Sequence, residues 1–192
     1  MMFKFLPIFF CFFYLHSVTN AQDKTASRQP LMFTPLFERM RSTHGNYFYT
    51  GSFSISKMTN KRFEVGLGLE TAFTSKHHDN GFVLYKLKFI PVFGNLKYHF
   101  NKVKKFDFYA ESSLGLSFNT YHRASDNSPN IKVRIKEKGI FAYFGSGVRY
   151  PISKKINLVT GIGIKGYKMS FNALDINPHG LSGMLGLNIK NL

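Results

Sequence analysis

Residues 62–73 read RFEVGLGLETAF. Phe63, Val65, Leu67, Leu69 and Phe73 fall on one face, and Arg62, Glu64, Gly66, Gly68, Glu70 and Ala72 on the other. Period-two alternation of this length describes a strand with one apolar face. The same pattern recurs to the chain end, and no segment after the N-terminal region is apolar for the roughly 20 residues a spanning helix needs. Such a chain can cross a bilayer only as a closed β-barrel, because only closure gives every backbone group in hydrocarbon a partner.

The repeats share one phase rule. In NYFYTGSFSIS, Tyr47, Tyr49, Gly51, Phe53 and Ile55 oppose Phe48, Thr50, Ser52, Ser54 and Ser56. In FDFYAESSLGLSFNTY, Phe106, Phe108, Ala110, Leu114, Leu116 and Phe118 oppose Asp107, Tyr109, Glu111, Ser113, Gly115, Ser117 and Asn119. IFAYFGSGVRY, INLVTGIGIKGY and GLSGMLGLNIKNL continue the series. VLYKLKFIPVFGNLKYHF changes phase between Phe89 and Ile90, which predicts a β-bulge near Pro91. These segments make seven strands. An even barrel needs an eighth, for which Leu31–Ser42 is the candidate, with Pro35 leaving a helix or plug as the alternative.

The breaks are of two kinds. SKMTNKR, NKVKKF and PISKKI are short basic turns; TSKHHDNG, YHRASDNSPN and NALDINPHG are longer and polar. Short turns on one side and long loops on the other describe an outer-membrane barrel with its short turns in the periplasm. IKVRIKEK extends a strand beyond the membrane in this reading.

A soluble lipocalin-like barrel also alternates, with the apolar face inward. The glycines separate the two. Gly66, Gly68, Gly115, Gly145, Gly147, Gly161, Gly163 and Gly186 all lie on the polar face. Glycine weakens a solvated strand, but in a narrow barrel interior it makes room for large residues opposite. The polar face is therefore assigned to the lumen and the apolar face to lipid. Gly51, Gly94 and Gly166 depart from the rule. Tyr47, Tyr49, Tyr98, Phe100, Phe106, Phe118, Tyr150 and Phe171 fall near strand ends, where aromatic girdles belong. On this assignment Glu64, Glu70, Asp107 and Glu111 share the lumen with Lys97, Arg149 and Lys165. Buried charges need partners, so a charge network plugging the barrel is expected, with Glu111 bonded to Lys97, Arg149 or Lys165.

The N-terminus, MMFKFLPIFFCFFYLHSVTNAQD, has the charge, apolar run and small residues of an export signal cut after Ala21. Residues 1–21 are read as signal peptide and 22–192 as the barrel domain. The only cysteine, Cys11, leaves with the signal, so the mature chain carries no disulfide. The net charge is +16, and loss of Lys4 leaves +15. For an exported chain that charge points to anionic lipid, lipopolysaccharide included, rather than nucleic acid. Lys57, Lys61, Arg62, Lys102, Lys104, Lys105, Lys154 and Lys155 sit at the short turns, and Arg39, Arg41, Lys76, Arg123, Lys132, Arg134, Lys136 and Lys138 at the other end.

Other motifs read as bland. His77, His78 and Asp79 are expected in a solvated loop rather than at a metal. Ser112, Ser146 and Ser170 face outward without a patterned histidine and acid, so no catalytic residue is assigned. The glycines of GSGVRY lie within a strand, which excludes a phosphate loop.

FIPVFGNLKYHF, FDFYAESSLGLSF and FGSGVRYPISKKINLVTGIGIKGY resemble the Bacteroidota outer-membrane β-barrel family often called PorT-like. YAESSLGLS has Ser113 where that family commonly has glycine. The resemblance spans roughly residues 45–192. It implies an eight-stranded antiparallel up-and-down barrel in the outer membrane of a Gram-negative cell, without a cofactor. Two roles stay open: a structural or surface-interaction protein, with other envelope proteins as a further class of partner, or a transport component with a narrow pore.

Overall fold

The computed structural model describes residues 29–79, 82–125, 128–169 and 177–191. The expected signal segment, Ser170 and Phe171 lie outside them. Eight strands follow one another: β1 (Leu31–Ser42), β2 (Tyr47–Met58), β3 (Phe63–Asp79), β4 (Phe82–His99), β5 (Asp107–Ser125), β6 (Ser128–Pro151), β7 (Ile156–Lys168) and β8 (His179–Lys190). Each pairs antiparallel with its neighbours, and β1 pairs with β8 to close the barrel. The fold is the eight-stranded, up-and-down transmembrane barrel expected from the alternation.

Leu31–Ser42 is thus the first strand and not a plug. Its proline leaves a mark on the seam. Pairing with β8 runs through Met32 and Phe33, skips two residues and resumes at Leu36↔Gly186, since Pro35 has no N–H to donate. Side chains span the gap. Asn188 Nδ2 donates to Thr34 Oγ1 (2.8 Å), and Asn157 Nδ2 donates to Asn188 Oδ1 (3.1 Å). Gly186 lets the Pro35 backbone come close; a Cβ there would collide with the Pro35 carbonyl.

The faces divide as the glycines indicated. Phe48, Tyr109, Phe141, Tyr143, Val159 and Met184 are buried inside, while Phe53, Leu67, Leu69, Leu114, Phe144, Ile162 and Leu181 stand exposed outside. Each of the eight polar-face glycines faces an atom that an added Cβ would meet closer than 3.0 Å, whereas Gly51 and Gly183, on the outer face, meet nothing within 4 Å. Phe93 fills the space over Gly68, Tyr109 that over Gly147, and Tyr143 that over Gly145 and Gly163. Small and large residues interlock across the lumen, as a barrel this narrow requires.

The exposed apolar residues form a belt. On β5 it runs from Phe108 to Phe118, the length of a tilted membrane strand. Aromatic clusters edge it: Phe63, Tyr98 and Phe100 at one end with centroids 5.2 and 5.3 Å apart, and Tyr49 and Phe73 at the other, 6.0 Å apart. Arg39 lies 4.0 Å over the Tyr47 ring in the same upper girdle.

Two expectations are corrected. The bulge is not near Pro91. Register between β4 and β5 slips between Tyr85 and Lys88, and Lys86 takes a φ of 51°. Leu87 and Phe89 point inward with Pro91 and Phe93, so no compensation at Pro91 is needed. Two of the three long polar segments are also not chiefly loops, and most of the third, NALDINPHG, lies outside the described residues. TSKHHD and YHRAS continue β3 and β5 to their hairpin tips, giving strands of 17, 18, 19 and 24 residues in β3 to β6 against 12 or 13 in the others. One side of the barrel therefore rises as a wall above the belt, and IKVRIKEK lies within its longest strand.

Candidate functional site

The strand phases carry every lumen charge inward, and the register sorts these charges into two groups. The first lies toward the short-turn end. Glu64 on β3 is its hub and is almost fully buried. It accepts from Ser56 Oγ (2.7 Å) on β2 and from Arg149 Nη2 (2.8 Å) on β6 across the lumen. His99 Nε2 lies 3.1 Å from it, and Lys97 Nζ 3.6 Å, both on β4. Lys97 also stands 3.7 Å from Glu111 on β5, its direct register partner, and Asn95 Nδ2 donates to Glu111 at 3.2 Å. Asp107 bonds the other nitrogen of His99 at 3.0 Å.

The second group lies deeper. Lys165 on β7 sits 2.8 Å from Glu70 and 2.5 Å from Glu38. Ser182 Oγ donates to Glu38 (2.8 Å), and the Tyr167 hydroxyl donates to Glu70. Of the three bases offered to Glu111, the structure brings up Lys97, while Arg149 and Lys165 engage other carboxylates. Glu38 escaped the sequence reading because Pro35 obscured the phase of its strand. Its signal was available: Thr34, Glu38, Met40 and Ser42 share one face.

Between the groups is a void of about 20 Å³, bordered by Glu38, Glu70, Asn95, Glu111 and Lys165, room for about one water. Beyond Glu70, aromatic rings close the lumen. Phe89 stacks on Tyr167 (4.5 Å), with Phe48 and Phe141 packed at 5.9 and 5.5 Å. The lumen therefore holds ion pairs and a ring cluster in series. His77 belongs to this packing, not to a solvated loop. It is fully buried, its Nδ1 is 2.9 Å from Asn46 Nδ2, and its ring meets Phe48 at 5.9 Å. Among the described residues no three His, Cys, Asp or Glu side chains converge as a metal site. Ser112 and Ser146 face outward, as expected.

Two further concavities lie outside this core. A vestibule of about 450 Å³ opens at the short-turn end, bordered by Lys61, Arg62, Lys102 and Lys190, with Arg149 and His99 also lining it. A cleft of about 550 Å³ lies beside the β4 bulge, lined by Phe73, Tyr85, Lys86, Lys88, His122 and Lys132. The charge distribution is lopsided. Among the described residues Glu38, Glu64, Glu70, Asp107 and Glu111 face the lumen, and the basic residues buried there are Lys97, Arg149 and Lys165. The described outer surface is left strongly basic.

No protein-family model matches the chain, and none of the curated proteins does. Solved structures do. A major outer membrane protein from Thermus thermophilus aligns with a TM-score of 0.56 at 10% identity, covering 84% of this chain and 99% of that one. Neisserial surface protein A aligns at 0.51 and 13%, covering 84% and 96%. Ail, the attachment invasion locus protein of Yersinia pestis, in complex with the heparin analogue sucrose octasulfate, aligns at 0.50 and 10%, covering 85% and 97%. At these identities the likeness is one of fold. Closure, inward glycines, lipid-facing belt and structural relatives agree: this chain has the fold of the small eight-stranded outer-membrane β-barrels.

Proposed function

We propose that this protein is an integral outer-membrane barrel of a Gram-negative cell, closed to conduction, with a structural and surface-interaction role. The observation that carries the reading is the filled lumen: two ion-pair groups, a void for about one water and a stacked aromatic cluster stand in line. The outer-membrane location rests on the fold and on the belt. The finer assignment, to the PorT-like barrels of the Bacteroidota, rests on the strand motifs around Pro91, Glu111 and Arg149. No catalytic role is proposed.

The partners proposed are the lipids of the outer leaflet, lipopolysaccharide included, and other envelope proteins. The exposed Arg39, Arg41, Lys76, Arg134, Lys136 and Lys138 lie at or above the upper girdle, at the height of lipid headgroups. A structural relative, Ail, has been solved with a sulfated polyanion, the class of ligand a basic wall suits. The test is conductance of the refolded mature chain in a planar bilayer. A silent membrane containing folded protein is the expected result. Steady ohmic steps would favour the transport reading. Co-purification from native membranes in mild detergent identifies any protein partner.

A further inference from the structure

The cleft beside the β4 bulge has three features that no folding requirement explains together. The first is its backbone. Lys86 holds a φ of 51°, in the left-handed region that a side-chain-bearing residue rarely adopts and that glycine would occupy freely. The bulge adds one residue to β4 against β5 and re-aims the side chains on either side of it.

The second is charge. Lys86, Lys88 and Lys132 are exposed and His122 is half-buried, all lining one concavity. Among the described residues no carboxylate is paired with any of them. Lys132 Nζ instead rests 4.6 Å over the Tyr85 ring, a contact that holds the ammonium in place without neutralising it.

The third is height. Lys88 is the register partner of Phe73 on one side and of Thr120 on the other, two residues above the belt residue Phe118. The cleft therefore straddles the upper girdle. Its lower edge is the exposed ring of Phe73 and its walls are cationic. A cavity apolar below and cationic above, at the membrane surface, matches an amphiphile whose phosphate sits above its acyl chains.

Resting on the reading of the wall as a lipid-facing surface, we propose that this cleft binds a phosphate of a phosphorylated glycolipid of the outer leaflet. Lys86, Lys88 and Lys132 supply the positive charge, His122 supplies a ring nitrogen, and the acyl chains descend past Phe73.

The test uses the mature chain refolded in detergent micelles and a fluorescent, bis-phosphorylated lipid A. A double variant, Lys88→Gln/Lys132→Gln, removes charge from the cleft. A second, Arg134→Gln/Lys136→Gln, removes equal charge from the neighbouring wall. A lysine lining the cleft, within reach of the bound phosphate, is worth about fivefold in binding, so the cleft variant should weaken affinity roughly 25-fold, while the wall variant, whose charges do not line the cleft, should weaken it severalfold at most. Folding is checked by heat-modified gel mobility, and if the double variant fails, Lys132→Gln alone should still weaken binding about fivefold. Dephosphorylated lipid A should not bind, and inorganic phosphate should compete only weakly. Equal losses in the two variants would reduce the site to diffuse attraction and overturn it while leaving the lipid-facing reading intact. Full competition by inorganic phosphate would reassign the cleft to a soluble anion. Failure of the unaltered protein to bind lipid A would overturn both readings.

Discussion

Replacing Glu64 by leucine tests the lumen most directly. Glu64 accepts from Ser56 and Arg149 and lies within 3.6 Å of His99 and Lys97, so its removal leaves two buried cations short of charge. Lys97 keeps Glu111 at 3.7 Å. Among the described residues Arg149 has no other carboxylate within ion-pair distance; it keeps a weak contact to the Met32 sulfur at 3.7 Å and a place 6.0 Å over the Tyr109 ring. Breaking a buried pair by removing one partner costs about 3–5 kcal/mol. Arg149 lines the open vestibule, and water reaching it brings the expectation to about 3 kcal/mol. Glu111→Leu leaves Lys97 with Glu64 and should cost about 1–2 kcal/mol. The assay is urea unfolding in micelles followed by circular dichroism. At a slope of about 2 kcal/mol/M, Glu64→Leu should lower the midpoint by about 1.5 M and Glu111→Leu by about 0.5–1 M. Adding Arg149→Met to Glu64→Leu should restore part of the loss, since it removes the stranded charge. A Glu64→Leu midpoint equal to that of the parent, or a larger effect at Glu111, would refute the assignment of Glu64 as hub.

Gly68→Leu should abolish folding or lower the midpoint sharply, because its side chain would occupy the space of the Phe93 ring, while Gly51→Leu, on the open outer face, should be tolerated in the same titration. Lys86→Gly relieves a left-handed backbone and should raise stability by about 1 kcal/mol in lipid-free micelles; a loss of stability there would show that the backbone at Lys86 is not strained. A cysteine at Lys136, on the wall, should react with a membrane-impermeant maleimide on intact cells, and one at Ser153, in the β6–β7 turn, should not. The reverse labelling would invert the barrel in its membrane.

The faces of the strands were legible because the information is local. Alternation has a period of two along each strand, and glycine opposite Phe93, Tyr109 or Tyr143 answers a steric demand of a narrow interior. Residues 62–73 alone therefore assign Glu64 and Glu70 to the inside and Leu67 to lipid. The hairpin ends were misread for a related reason. Above the belt the outer face meets polar headgroups and water, so TSKHHD loses its apolar alternation while its backbone stays paired to β4, and polarity without alternation resembles a loop.

Partnership is another matter. Lys97 meets Glu64 and Glu111 through neighbouring register, but Arg149 reaches Glu64, and Lys165 reaches Glu70, across the lumen between strands that do not pair. Those contacts depend on barrel closure and stagger, which no local pattern contains. The bulge is likewise a decision of the register between β4 and β5. It falls at a lysine, without the glycine that would announce it, while Pro91 sits quietly on the inner face. The sequence by itself determined which side chains enter the barrel and which meet the membrane. Only the closed structure decided which charges neutralise one another inside, and where the wall opens into a cationic cleft.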